Sequence, residues 1–165
     1  MRRHMIGIIG AALVLVAVLG AVAVGLVASS TQPVVPSRGN AGYATPGRRI
    51  FFTGIGRAGP IARTGGFGMM ASGGCATCHG ADGRGGRIGM MMGRTVEVPD
   101  IRYLTLTSPK TGNGKTEPGW TDAEIAAAIR DGKDPAGGSL SSYMPRWQMD
   151  DTDVNDLIAY LKELK

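Results

Sequence analysis

The sequence predicts an all-α domain, made of a few short helices and long loops, behind an N-terminal transmembrane helix. Three observations carry that expectation. Residues 5–28 hold no charged side chain. Two capped segments towards the C-terminus repeat apolar residues at helical spacing. Elsewhere glycine and proline recur too often for long regular elements, with no clear strand pattern and no internal repeat.

Taken in order, residues 1–4 read as a cytoplasmic tail. Residues 5–28, 24 in all, would make a helix of roughly 36 Å, enough for a hydrocarbon layer of about 30 Å. Arg2 and Arg3 precede the span, which places that end in the cytoplasm and the rest of the chain outside. The competing reading is a cleaved signal peptide. The apolar stretch is long for one, although Ala28-Ser29-Ser30 offers small residues for cleavage. Ala21 and Gly25 form a small-xxx-small pair, more in keeping with ordinary membrane-helix composition than with a dimer face.

Residues 29–46 contain Pro33, Pro36 and Pro46 among Ser, Thr, Gly and Asn, and read as an extended linker. Gly47 to Phe52 can begin a helix, with Ile50, Phe51 and Phe52 seeking a core. Gly54, Gly56, Gly59 and Pro60 then break any long periodicity. A second apolar run, Phe67 to Ala71, leads towards Cys75. Residues 80–118 read as mostly loop. Thr121-Asp122-Ala123-Glu124 is a capping box, Thr121 the N-cap and Glu124 its partner three residues on. Ile125, Ala128 and Ile129 share a face, so a helix over 122–131 is expected, ended by Gly132. Asp151, Thr152 or Asp153 starts a last helix reaching about Lys165, with Val154, Leu157, Ile158, Leu161 and Leu164 as its apolar stripe.

The chemistry is concentrated in Cys75-Ala76-Thr77-Cys78-His79. C-x-x-C-H reads as covalent haem attachment. Two thiols at this spacing can form thioethers to the two vinyl groups of one haem, and the adjacent imidazole is then held under the iron. Other uses of these residues fit less well. A structural zinc site needs four ligands, whereas Cys75, Cys78 and His79 supply three and the only other histidine is His4. A thioredoxin-like pair calls for a βαβ setting. A disulfide here would close a very small loop and stabilise little.

Composition agrees with the motif. Glycine accounts for 27 of 165 residues and aromatics for 5%, a weak basis for a protein-only core. A haem would supply apolar volume, and glycines let backbone approach its ring. The net charge of +5 is uneven. Residues 29–74 hold five arginines (38, 48, 49, 57 and 63) and no acid, whereas residues 75–165 hold 11 basic and 13 acidic groups. This basic stretch is either a solvated linker or a surface for anionic lipid or an acidic partner. Nucleic acid does not suit a segment outside the membrane.

The sixth iron position needs a ligand, and methionine is one of those used in electron-transfer haems. Met1 and Met5 lie on or before the span. Met69 and Met70 are close to the tether. Met90, Met91 and Met92 lie in a glycine-rich stretch, and Met144 and Met149 precede the last helix. Thioether clusters also suit Cu(I), but three consecutive residues cannot all face one ion and no histidine or cysteine joins them.

Cys75 to Gly80, Pro99-Asp100-Ile101, Ser141 to Trp147 and the closing helix with Tyr160 resemble a class I cytochrome c, over roughly residues 66–165. The resemblance implies the cytochrome c fold around one covalent haem c; together with the composition read above, the expected division is 1–28 as tail and anchor, 29–46 as linker and 47–165 as haem domain. It implies His79 and Met144 as axial iron ligands. It also implies that the Pro99 carbonyl accepts the imidazole N–H, that Arg146 and Trp147 contact a propionate or the haem edge, and that Tyr160 packs between the terminal helices. Compact members run one Gly-x-x-x-aromatic helix straight into the first cysteine. Here Cys75 follows Phe52 by 23 residues, so either 53–74 is an insertion or the first helix is a short piece at 67–74.

The implied function is electron transfer rather than catalysis. Expected partners are a quinol-oxidising complex or dehydrogenase as donor and a terminal oxidase or reductase as acceptor. The expected location is the bacterial cytoplasmic membrane, single-pass, with the haem domain on the periplasmic side. A permanent subunit of a larger membrane oxidoreductase is a variant of this reading. A haem enzyme or ligand sensor would need Met144 absent from the iron, and a copper protein would use the methionines.

Overall fold

The computed structural model describes residues 42–66, 73–89, 93–112 and 114–165, all in the compact unit Ser37–Lys165. Among these residues, no helix is long and apolar enough to cross a membrane. The apolar stretch 5–28, most of the linker, Phe67 to Ala71 and Met90–Met92 lie outside them.

The first helix, α1 (Pro46–Thr53), starts at a proline whose missing N–H costs nothing in the first turn. The Thr45 hydroxyl accepts from the Arg48 amide at 3.2 Å, and Gly54 closes the helix by donating to the Ile50 carbonyl at 2.8 Å. The last helix, α5 (Asp151–Glu163), is capped by Asp150, whose carboxylate accepts from the Asp153 amide at 2.7 Å. The helix therefore starts at Asp151, the earliest of the three expected positions. Acids in its first turn and Lys162 in its last complement the helix dipole.

These terminal helices pack on one another. Ile50 and Phe51 are fully buried, and the Phe51 and Tyr160 rings lie 5.2 Å apart. Burying a side chain of that size contributes about 1.5–3 kcal/mol. Gly47 lets the helices approach, because a Cβ there would run into the Asp156 carbonyl. Among the described residues the helix packed on α5 is thus α1, and residues 54–74 intervene between it and the C-x-x-C-H turn; most of the alternative piece at 67–74 lies outside the described residues.

Between them lie α2 (Ala76–His79), α3 (Tyr103–Thr107) and α4 (Asp122–Asp131). The α4 capping box is complete. The Glu124 amide donates to the Thr121 hydroxyl at 3.2 Å, and Glu124 Oε2 accepts from the Thr121 amide at 2.7 Å. Ile125 and Ile129 of its apolar face join one core with Ile50, Phe51, Leu106, Trp147 and the α5 stripe, and Ala128 on the same face is buried too.

The all-α expectation needs correction. The described residues form five helices and also eight short strands in four two-stranded antiparallel pairs. They are β1 (Ile55–Gly56) with β2 (Gly59–Pro60), β3 (Arg63–Thr64) with β8 (Arg146–Trp147), β4 (Gly86–Gly89) with β5 (Thr95–Val98), and β6 (Lys110–Gly112) with β7 (Lys115–Glu117). Residues 80–118, read as mostly loop, contain two of these hairpins and α3. A two-residue strand has no periodicity to read. β6 and β7 are exposed throughout, so no apolar alternation marks them. The Thr95–Val98 alternation and the Gly-Asn-Gly sequence at 112–114 are the available signals.

Candidate haem-binding site

A cavity of about 350 Å³ opens between α2, the β4–β5 hairpin, α4 and the segment before β8, on the scale of a small-molecule site. Cys75, Cys78, His79, Pro99, Met144 and Trp147 all line it. Most of the remaining wall is aliphatic, including Ile88, Val98, Ile129, Leu157 and Leu161.

The tether residues sit on the short turn of α2, where the His79 amide donates to the Cys75 carbonyl at 2.9 Å. This folds both thiols and the imidazole to one place within five residues. Neither cysteine is in a disulfide. Burial of the thiol pushes Cys75 up to about 12, although the residue as a whole is partly exposed, and burial raises Cys78 as well. Both sulfurs therefore stay protonated near neutral pH, which does not suit thiolate metal binding or thiol exchange. Among the described residues, no group of three His, Cys, Asp or Glu side chains could hold a metal ion.

His79 is only 7% exposed. Its Nδ1 lies 2.9 Å from the Pro99 carbonyl oxygen, which has no proton to give, so Nδ1–H is the donor. That fixes the tautomer and leaves the Nε2 lone pair for a metal. Burial holds the imidazole below its usual pKa, against smaller upward pulls from the Pro99 carbonyl and Asp100. The ring is therefore neutral at physiological pH, as a ligand must be.

The Pro99 carbonyl is itself held. The Ile101 amide donates to the Gly83 carbonyl at 2.8 Å. Asp100 accepts from the Arg102 amide at 2.9 Å and from the Arg102 guanidinium through both carboxylate oxygens. Hydrogen bonding from Arg102 keeps the Asp100 carboxyl below the usual carboxylate range.

Met144 lies in the loop before β8, with its amide donating to the Ser141 carbonyl at 3.1 Å. Trp147 is buried against the core. Arg146 is the one expected site residue that does not line the cavity. Its guanidinium donates to the carbonyls of Leu140 at 2.9 Å, of Ser141 at 3.4 Å and of Met144. It organises the Met144 loop from behind, over Gly132, the left-handed cap of α4 (φ 62°), where a Cβ would strike the guanidinium.

The arginine that does line the cavity is Arg63. It stacks over the Trp147 ring, 4.8 Å from the ring centre, and donates to the Gly73 carbonyl at 2.6 Å. No sequence signal singled it out among the five arginines of its stretch, because its placement depends on the β3–β8 pairing.

The donor set fits a haem: two adjacent thiols, a neutral imidazole with Nδ1 committed, a thioether and an aliphatic wall for a flat macrocycle. No curated protein and no solved structure matches this chain. The Cytochrome c family model matches residues 64–165. Members of that family carry covalently bound haem c and use it for electron transfer. With well over half its length matched, and with Cys75, Cys78 and His79 in the C-x-x-C-H order, this chain belongs to the cytochrome c family.

Proposed function

We propose that this protein is a membrane-anchored, monohaem class I cytochrome c with His79 and Met144 as axial ligands, serving as an electron carrier between membrane complexes. The observation that carries this reading is the shared cavity, in which His79 with a committed Nδ1 and the Met144 thioether both face one apolar space. The haem supplies a one-electron ferric–ferrous couple. Around it the chain tethers through two sulfurs, orients one imidazole, offers one thioether and excludes water with aliphatic side chains. Methionine ligation favours the reduced metal and raises the potential. The Pro99 carbonyl opposes part of that by making the imidazole more basic. With His79 and Met144 both holding the iron, no position would be left open for oxygen or peroxide, which favours electron carriage over catalysis.

Anchoring rests on the uncharged stretch 5–28 behind Arg2 and Arg3. It restricts the domain to the periplasmic face of the membrane and raises its effective concentration near membrane partners. The partners of this chemistry are a quinol-oxidising complex or dehydrogenase as donor and a terminal oxidase or reductase as acceptor.

The test is spectroscopic. The ferric holoprotein should show the near-infrared methionine-to-iron band and bind carbon monoxide poorly when reduced. Met144→Ala should lose the band and bind carbon monoxide avidly. A wild-type protein without the band would remove Met144 from the iron and the carrier reading with it.

A further inference from the structure

The segment between α1 and the C-x-x-C-H turn bonds across the molecule to both flanks of Met144. Downstream of the ligand, the Gln148 amide donates to the Ala62 carbonyl at 2.8 Å, and β3 pairs with β8 in the register Arg63 with Trp147 and Thr64 with Arg146. Upstream of it, the Gly66 amide donates to the Ser142 carbonyl at 3.2 Å. Residues 62–66 thus lie along the loop that carries the thioether.

Arg63 joins this segment to the haem tether. Its guanidinium lies over the buried Trp147 ring at 4.8 Å, while Nη1 donates to the carbonyl of Gly73, two residues before Cys75. Trp147 and Arg63 both line the cavity. One partly buried planar cation therefore braces the strand after Met144 against the backbone that enters the tether. A flat guanidinium can stack and donate at once, which an ammonium cannot do as well.

We propose that residues 62–66 are a strap over the Met144 loop, and that Arg63 is its positioning residue, keeping the thioether in place against competing external ligands. The proposal rests on Met144 being the distal ligand. For the thioether to leave, the 140–148 loop must open, and opening breaks the Ala62, Gly66 and β3–β8 bonds. The apparent affinity for an external ligand is its intrinsic affinity multiplied by the open fraction. Whatever raises the open fraction tightens that ligand in proportion.

The experiment is an imidazole titration of the full-length ferric holoprotein, followed by loss of the near-infrared methionine band. The imidazole nitrogen replaces the thioether sulfur on the iron with no change of oxidation state. Arg63→Ala should bind imidazole about tenfold more tightly than wild type, equivalent to ~1.4 kcal/mol of loop closure. Arg63→Lys keeps the charge but stacks poorly, and should fall between them. Arg57→Gln removes the same charge from an exposed pair with Asp156, away from the cavity, and should match wild type.

Unchanged imidazole affinity in Arg63→Ala overturns the proposal, as does an equal shift in Arg57→Gln. If Arg63→Ala fails to assemble, Arg63→Lys decides. A tightening of about threefold supports the strap and no tightening overturns it. Absence of the methionine band from the wild type removes the Met144 reading itself. A normal wild-type band with an unaltered Arg63→Ala titration removes the strap alone.

Discussion

Around His79, the groups that fix the imidazole come from two short stretches of chain, Cys75–Gly85 and Pro99–Arg102, closed on themselves by bonds such as Gly85 N–H to the His79 carbonyl at 2.8 Å. Around Met144, the loop 140–145 depends on a distant segment, Ala62 to Gly66, as well as on nearer residues, Gly132 and Arg146. Ala62 to Gly66 pair with its flanks, the Leu140 amide donates to the Gly132 carbonyl at 2.8 Å, and Arg146 folds back onto three loop carbonyls. His79 is placed mainly by short-range bonds around the C-x-x-C-H turn, whereas Met144 also depends on long-range pairing with residues 62–66. On the proposed reading, a site built this way would keep its haem permanently and leave the Met144 side as the adjustable half.

The largest expected effect comes from breaking the His79 half. Cys75→Ser with Cys78→Ser removes both sulfurs, and haem should then be extractable by acid acetone, leaving a chain of apoprotein mass. Single variants should keep one thioether. Haem retained against acid acetone in the double variant would mean attachment elsewhere in the chain. Covalent bonds leave no equilibrium to shift, so this loss should be complete rather than graded.

The two halves also differ in how far they could be read from sequence. C-x-x-C-H encodes its geometry within five residues, and the Thr121 capping box encodes the start of α4 within four. Pro99 was reachable because a motif pointed to it. The supports of Met144 carry no such signal. β3 and β8 are two residues each, and their pairing spans more than 80 positions of chain. The burial pattern of β3 is one intermediate and one exposed residue, so no apolar stripe announces it. Arg146 stands in the Ser141–Trp147 motif, whereas Arg63, between Ala62 and Thr64, belongs to no motif. Only the β3–β8 register turns one towards the cavity and the other towards the loop carbonyls.

A graded effect is expected from Gly132→Ala, which strikes the Met144 half alone. The residue sits at φ 62°, and the new methyl would occupy the space of the Arg146 guanidinium. Left-handed backbone costs a residue other than glycine roughly 1 kcal/mol. Displacing Arg146 from carbonyls it now satisfies adds a similar amount, since water reaches part of that surface. Denaturant unfolding should report a loss of about 1–3 kcal/mol, and imidazole should bind more tightly, while covalent haem and the His79 ligation persist. Equal imidazole affinity in variant and wild type would show that the loop does not depend on Arg146.

The smallest effect should come from Asp100→Asn, which touches the His79 half through the loop that presents the Pro99 carbonyl. Hydrogen bonding from Arg102 depresses the Asp100 carboxyl below its ordinary value of 3.8. A depressed folded-state value contributes stability above the unfolded one, and that contribution is lost as pH falls through the folded value. The stability advantage of the wild type over Asp100→Asn should therefore be present at neutral pH and vanish as pH falls below about 4. Each partner keeps about a fifth of its side chain in solvent (21% and 23%), and screening there limits the advantage. The reduction potential gives an independent reading. Removing a negative charge from the cavity wall would disfavour the ferric state, and a slackened Pro99 carbonyl would make the imidazole a weaker donor, which disfavours it again. Both changes raise the potential, together by a few tens of mV, within the ~59 mV of a tenfold change in a one-electron equilibrium. A potential that falls or stays level in a redox titration would mean that Asp100 does not reach the iron through Pro99, and that the local half of the site is stiffer than its hydrogen bonds suggest.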